Sequence, residues 1–188
     1  MSDGGGASIP GAHQVLSWVV TALLAGGLGA CVAVGANRPA DPHLVAARVP
    51  GFGEVAFRIV PGTGAQPTPA QWCALLAATE AQRARGLMGV TDLKGYAGML
   101  FRFTAVTDTT FWMKDTPKPL SIAFFAADGR FVSAADMDPC ADDAACQKVA
   151  TAAAGPYRFA IEVPKGQLGT YGIGPGSTLV VEGACPAA

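Results

Sequence analysis

Short apolar runs separated by turn residues fill the chain after residue 44, and they constrain its fold more than any other feature. Residues 54–60 and 157–163 alternate apolar side chains with a period of two, which is typical of strands with one buried face. The continuous apolar run at 72–77 has the length of a buried strand. Further strand-like runs lie at 100–103, 111–114, 120–126, 130–135 and 178–182. This pattern predicts an α+β, mainly β fold: a compact single domain of short, mostly antiparallel strands, barrel- or sandwich-like, with two short helices.

Two local signals predict a hairpin and a helix within this domain. The pair Asp128-Gly129 stands between two strand-like runs, and Asp-Gly is a strong signal for a two-residue hairpin turn. Thr79 followed by Gln82 has the spacing of a capping box. A helix is therefore predicted over residues 80–87, ended by Gly89.

Composition divides the chain into four segments. Residues 1–14 are Gly-rich and polar, which predicts a disordered N-terminus. Residues 15–36 carry no charge, and about 22 apolar or small residues are enough to span a bilayer. Residues 37–43 have the proline content of a linker, and residues 44–188 make up the predicted β-rich domain.

The apolar segment at 15–36 has three interpretations, and the sequence leaves all three open. Leu28-Gly-Ala-Cys31 resembles a lipobox, which makes Cys31 a candidate for lipidation. Val34-Gly-Ala36 has the small residues of a signal cleavage site. In the third interpretation the whole segment is retained as a transmembrane anchor. No Lys or Arg precedes it, so charge does not predict its orientation. The membrane is the partner that this segment predicts.

The cysteines after this segment predict two disulfides. Cys140 and Cys146 flank a short acidic loop and are paired here, which leaves Cys73 for Cys185. The chain-entropy model gives about 2 kcal/mol for the short loop and nearly 5 kcal/mol for the long one. Four buried thiols are the alternative. Paired cysteines imply an oxidising compartment, so the predicted location is the extracytoplasmic cell envelope, anchored by residues 15–36 or by a lipid on Cys31.

Several chemistries lack the residues that they need. Both histidines, His13 and His43, precede the domain, which argues against Ser-His-Asp and Cys-His catalysis and against ordinary zinc sites. Neither a phosphate-binding loop nor a dinucleotide fingerprint is present. The net charge of −1 gives no basis for binding nucleic acid. Methionines raise a copper hypothesis, but Met beside Leu and Phe is typical of core filling, and neither a metal nor a cofactor is predicted.

The segment at 111–116 contains the strongest binding candidates. In a strand, Trp112 and Lys114 share the face opposite Phe111 and Met113. An aromatic ring beside a cation suits a sugar or a carboxylated molecule. The structural alternative makes Trp112 a cover for a shallow core and Lys114 a solvated charge.

Arg85 joins this candidate set because a guanidinium can bind a carboxylate or a phosphate with two hydrogen bonds. A structural ion pair with Asp92 or Glu162 is the alternative. The predicted ligand-binding residues are Arg85, Trp112, Lys114 and Asp115.

Residues 71–182 resemble the domain-of-unknown-function family 192, an uncharacterised bacterial and archaeal family. The matching segments are 85–89, 98–101, 111–114 with Thr116, 119–124, 128–130, 157–164 and 172–173. The resemblance implies a small β-rich domain, often exported or membrane-tethered, with no known activity, substrate or cofactor. This chain has Asp115 where family members often have Asn, and the Cys140–Cys146 loop resembles an addition found in exported members.

Three functions follow as expectations. The leading one is a non-enzymatic envelope module that binds a small molecule or a cell-surface glycan. The first alternative is a hydrolase or lyase that uses Lys114 and carboxylates, the available acids being Asp108, Asp115, Asp128, Asp136 and Glu162. The second alternative is a structural partner of another envelope protein, which would expose a contiguous apolar patch.

Overall fold

A computed structural model describes residues 49–62 and 70–186, which contain one mixed seven-stranded sheet, two short α-helices and one 3-10 turn. The strands are β1 (Gly53–Val60), β2 (Trp72–Ala77), β3 (Met99–Thr107), β4 (Leu120–Phe125), β5 (Phe131–Met137), β6 (Tyr157–Pro164) and β7 (Thr178–Val181). The helices are α1 (Glu80–Arg85) and α2 (Asp143–Lys148), and the 3-10 turn is Leu168–Tyr171. The mainly β fold with two short helices is therefore confirmed.

The sheet curls into a half-barrel. Its strand order is β5-β4-β6-β3-β2-β1-β7, and all neighbours are antiparallel except β2 and β3. The tip of the β4–β5 hairpin reaches β7 at the opposite edge, where Phe131 N–H donates to Ser177 O at 3.0 Å and Leu179 N–H donates to Gly129 O at 2.8 Å. Gly129 has φ +84, and a Cβ there would lie 2.2 Å from Leu179 O, so only glycine fits this closure.

Apolar side chains cover both faces of the sheet. One cluster includes Phe57, Leu100, Phe125, Ile161 and Leu179, which come from strands on both sides of the closure. The other lies on the opposite face and includes Leu75, Met99, Phe101, Ile122 and Phe124. Leu87, Tyr96 and Met113, from the segments after α1 and β3, pack onto this second cluster. The central strands are therefore buried on both faces.

Both disulfides are present with the predicted pairing. Cys73 in β2 is bonded to Cys185 after β7, with a Cα–Cα distance of 5.6 Å. Cys140 is bonded to Cys146 in α2, with a Cα–Cα distance of 5.2 Å. The long bond ties the middle of the sheet to the C-terminal residues, and the short one holds α2 against the end of β5.

The predicted hairpin and capping box are confirmed, but two predicted elements are wrong in part. The turn at Asp128-Gly129 joins β4 to β5, and Thr79 and Gln82 make both hydrogen bonds of a capping box. α1 ends at Arg85 rather than at 87, because Gly86 leaves the helical region with φ +49. The predicted strand at 111–114 is an irregular segment with a single bridge, Phe111 to Thr151.

Within the described residues, none of the helices has the length and apolar character needed to cross a bilayer. The predicted segments 1–14, 15–36 and 37–43, together with Cys31, lie outside the described residues.

Gly98 sets the distance between β3 and β6, since a Cβ at this position would lie 1.8 Å from Glu162 O. We expect Gly98→Ala to lower the free energy of unfolding by at least about 3 kcal/mol, because one of the two central strands must move. The matched control is Gly183→Ala, which has nothing within 4 Å of the added Cβ. Urea unfolding should show a change within about 0.5 kcal/mol for the control. Equal stabilities for the two variants would contradict this role of Gly98.

The two disulfides should differ in their contribution to stability, because they close loops of very different length. Their sequence separations are 112 and 6 residues. Replacing both cysteines of the Cys73–Cys185 pair by Ala should cost about 5 kcal/mol, and the same change in the Cys140–Cys146 pair about 2 kcal/mol. Urea unfolding of the two double variants tests this order, and a larger loss for the short loop would refute the loop-closure explanation.

Candidate functional site

A cavity of about 430 Å³ lies between α1 and residues 109–116, and its size is within the range of small-molecule sites. Its walls combine apolar rings with a few polar side chains. The aromatic residues are Phe101, Phe103, Phe111 and Trp112. The hydroxyl-bearing and charged residues are Thr109, Thr110, Thr116, Glu80, Arg83, Arg85 and Glu162.

The capping box of α1 positions two arginines at the cavity. Thr79 Oγ1 accepts from the backbone N–H of Gln82, and Gln82 Oε1 accepts from the backbone N–H of Thr79. The side-chain amide of Gln82 also donates to Gly51 O at 3.1 Å, which fixes the helix against residues 50–52. Arg83 and Arg85 follow in the last turn, where the negative end of the helix dipole favours cations.

Neither guanidinium at the cavity is neutralised by a carboxylate among residues 49–62 and 70–186. Arg83 Nη1 donates to Ala78 O at 2.5 Å and to Arg102 O at 3.2 Å, and its guanidinium lies 4.9 Å from the Phe103 ring centroid. Arg85 is exposed, stacks at 4.9 Å on Phe52 and donates a long 3.5 Å bond to Pro50 O. A guanidinium has five N–H donors, so both arginines keep donors for an anion.

The opposite wall is an irregular segment held by its buried side chains. The Phe111 ring packs edge-on against Phe101 at 4.9 Å, and Met113 is 3% exposed. The hydroxyl of Tyr157 donates to Thr109 O at 2.5 Å, which fixes the start of the segment. With Phe111 and Met113 in the core, Trp112 faces outward at the rim and remains 37% exposed.

Glu162 forms part of the inner end of the cavity and is the one buried ionisable acid among the described residues. It lies in β6 opposite Met99 of β3 and Ile122 of β4, both fully buried, and is itself 4% exposed. Its carboxyl group has no hydrogen bond or ion pair with any described residue. Burial raises the pKa of Glu162 to about 8, because the charged form loses its hydration without gaining a donor. At neutral pH the protonated acid predominates.

Lys114 lies beside the cavity rather than in its wall. Its Nζ is 2.5 Å from Asp143 Oδ2 and 5.6 Å from the Trp112 ring centroid. The hydrogen bond that Lys114 donates to Asp143 raises the pKa of Lys114, so the side chain stays an ammonium ion.

Asp115 has a backbone role and does not line the cavity. Its φ is +50, a conformation that Asp and Asn tolerate better than most residues, and its carbonyl oxygen accepts from Gly89 N–H at 2.9 Å. Of the four predicted ligand-binding residues, the structure brings Arg85 and Trp112 together at the cavity, with Lys114 next to Trp112 and Asp115 outside.

The ion pairs considered for Arg85 are not formed. Asp92 pairs with Lys94 at 2.7 Å, and Glu162 has no cationic partner among the described residues. The sequence therefore identified Glu162 only as one of several available acids and did not predict that it lines the cavity. Ala160, two residues before Glu162 on the same face of the strand, was the available signal that this face is buried as well.

Comparisons with known proteins agree with this architecture. A family model, DUF192, described as "Uncharacterized ACR", matches residues 64–181. The chain is similar to the crystal structure of a candidate transcription regulator from Sinorhizobium meliloti 1021, with a TM-score of 0.59 and 24% sequence identity. The match covers 72% of this chain and 98% of that one. At this level of identity, the likeness shows the fold alone. A protein of unknown function from Novosphingobium aromaticivorans DSM 12444 has a TM-score of 0.55 and 28% identity over 74% and 95%. No curated protein matches the sequence.

The buried acid should give the protein a characteristic loss of stability with rising pH. The pKa of Glu162 is raised from 4.5 to about 8 on folding. Below pH 4.5 the carboxyl group is neutral in both the folded and the unfolded protein, and its contribution to the free energy of unfolding is complete. This contribution is lost as the pH rises to about 8, because only the unfolded protein accommodates the charged form easily. Between these limits the slope approaches about 1.4 kcal/mol per pH unit. We expect Glu162→Gln to remove this slope.

The measurement is the free energy of urea unfolding at pH 5, 6.5 and 8. Glu162→Gln should gain stability relative to the unsubstituted protein by a few kcal/mol, on the order of the integrated slope, between pH 5 and pH 8. Glu80→Gln removes an exposed carboxyl from the same cavity and should leave the pH profile unchanged. Parallel profiles for all three proteins would show that Glu162 is ionised throughout this range.

Proposed function

The chain belongs to the DUF192 family, and on that premise we propose that it is an extracytoplasmic module that binds a small molecule bearing a negative charge and an apolar face. The cavity between α1 and residues 109–116 is the proposed site. The observation that carries the proposal is the pair of arginines at an aromatic-lined cavity without a carboxylate partner in the described part of the chain.

The two arginines account for the anionic part of the ligand. Arg85 is exposed and is held by stacking on Phe52 rather than by an acid. Stacking orients the guanidinium plane but leaves its hydrogen-bond donors available, and such a fork matches a carboxylate or a phosphate. Glu80 is the other charged group on α1 at this cavity, and it is exposed to solvent. The rim therefore favours an anion.

The rings account for the apolar part of the ligand. Phe101, Phe103 and Phe111 line the cavity, with the Phe101 and Phe111 rings edge to face, and Trp112 lies at the solvent-exposed rim. Flat aromatic faces contribute contact area at a small cost in side-chain entropy and bind planar or apolar molecules. Lys114 lies beside Trp112, next to the cavity, and is paired with Asp143.

The position of the acids and of Lys114 favours binding over catalysis. A lysine that acts as a base needs a lowered pKa, whereas the hydrogen bond that Lys114 donates to Asp143 raises the pKa of Lys114. Of the five acids considered for catalysis, only Glu162 lines the cavity, whereas acid–base hydrolysis of a glycoside uses two; Asp108, Asp115, Asp128 and Asp136 do not line it.

The described residues also offer little support for a purely structural role. A partner surface needs a contiguous apolar patch. Only four large apolar residues are exposed among residues 49–62 and 70–186, namely Val60, Val106, Trp112 and Val149, and Trp112 belongs to the cavity.

Two disulfides support the extracytoplasmic part of the proposal, since such bonds persist in oxidising compartments. The proposed tether is the membrane-spanning segment at 15–36 or a lipid on Cys31.

A simple aromatic carboxylate, 4-ethylbenzoate, provides the test. NMR titration of the oxidised full-length protein should show shifts confined to residues around the cavity. Arg85→Gln should weaken binding about tenfold or more, because a charge-assisted hydrogen bond is lost. Trp112→Ala should weaken it several-fold through loss of ring contact. Arg130→Gln, which changes an arginine in the β4–β5 turn, is the control and should leave the Kd unchanged.

Shifts that occur elsewhere, or a Kd that Arg85→Gln does not change, would contradict the proposed site. A flat titration with 4-ethylbenzoate, together with a Trp112-dependent response to the N-acetylglucosamine disaccharide, would instead favour the cell-surface glycan.

A further inference from the structure

The geometry points to a second polar subsite at the inner end of the cavity, where the Glu162 carboxyl group donates a hydrogen bond to an uncharged oxygen of the ligand. This inference rests on the proposed function and defines the ligand class more closely. The ligand would carry an anionic group at the arginine rim, an apolar middle part and a neutral acceptor, such as a ketone, ester or amide carbonyl, at its inner end.

The position of Glu162 in the sheet supports this role. A carboxyl group in a central strand, between two fully buried side chains, is an unusual use of a charged residue, because burial costs free energy unless a partner compensates it. No described residue supplies that partner. The group is only 4% exposed, and it faces the cavity. An acceptor atom of a bound ligand can therefore form the hydrogen bond that no described residue makes with the Glu162 carboxyl group.

The charges around Glu162 decide which form of the acid is present. The neighbours from β3 and β4, Met99 and Ile122, are uncharged. The wall at 109–116 contributes threonines and rings, while Lys114 and Asp115 do not line the cavity. Arg83, Arg85 and Glu80 of α1 line it, but neither arginine pairs with Glu162.

With no cation paired to it, burial dominates and the neutral acid is favoured, in agreement with the pKa of Glu162 near 8. A neutral carboxylic acid has one O–H donor, and an acceptor on the ligand is its natural complement.

A ligand with a cation at its inner end is the alternative, and it predicts a different order of Kd values. An ionised Glu162 would select an ammonium or amidinium group in place of a carbonyl. Three para-substituted benzoates of similar size separate the cases: 4-ethylbenzoate has no polar group at the inner end, 4-acetylbenzoate has a neutral acceptor, and 4-(aminomethyl)benzoate has a cation.

The experiment measures the three Kd values for the oxidised full-length protein at pH 6.5 and at pH 9. We expect 4-acetylbenzoate to bind several-fold to tenfold more tightly than 4-ethylbenzoate at pH 6.5, and 4-(aminomethyl)benzoate to bind most weakly. At pH 9 the preference for the acetyl group should disappear, because the donor proton is lost.

Two variants isolate the contribution of Glu162. Glu162→Gln keeps an N–H donor, so its preference for the acetyl probe should persist at both pH values. Glu162→Leu has no donor, and the ratio of the ethyl to the acetyl Kd should fall to about one. Asp128→Asn removes an acid of the β4–β5 turn and should leave all ratios unchanged.

Each outcome supports or overturns the inference. Equal binding of the ethyl and acetyl probes overturns it but leaves the proposed function intact. Tightest binding of the aminomethyl probe at pH 6.5 also overturns it, because Glu162 would then be ionised. Absence of binding for all three probes overturns the proposed function and the inference together.

Discussion

The rest of the structure depends on the need to cover both faces of one curled sheet. Because the tip of the β4–β5 hairpin hydrogen-bonds to β7, one apolar face closes on itself and forms a core. The other face stays open, and no second sheet is available to cover it in the described residues. α1 and the segments that follow α1 and β3 supply this cover, with Leu87, Tyr96 and Met113 as their apolar contacts. The cavity lies where this cover is incomplete.

Such an origin explains why the proposed site combines a rigid inner end with a rim built from short elements. At the inner end, the backbones of Phe101 in β3 and Glu162 in β6 are held by strand pairing on both sides. The arginines depend on a six-residue helix, which the Thr79–Gln82 capping box and the contact of Gln82 with Gly51 hold in place. Trp112 depends on its neighbours Phe111 and Met113, whose burial fixes the backbone between them.

Local patterns in the sequence were sufficient for much of the fold. The capping box at Thr79, the Asp128-Gly129 turn and the alternation in β1 depend on neighbouring residues, so the sequence predicts them directly. The disulfide pairing followed from loop length and elimination. Arg85 and Trp112 were ligand candidates by residue type, and both line the cavity. Two features depend on tertiary context and could not be predicted from the sequence. Phe111 forms a single bridge where a strand was predicted, and Asp115 has a positive φ. The burial of Glu162 needs knowledge that both faces of β6 are covered.

The order of the strands has a consequence for how the chain folds as it is synthesised. β1, the first described strand, lies between β2 and β7, and β7 is the last. Until residues 178–181 are available, β1 has an unpaired edge, the half-barrel cannot close at the Arg130–Thr178 bridge, and Cys73 lacks the partner at Cys185. Contacts this distant in sequence form slowly. The sheet therefore cannot be completed before residues 178–181 and Cys185 have been synthesised. A shorter nascent chain keeps both an exposed strand edge and a free thiol, the two features by which chaperones and thiol oxidants can act on it.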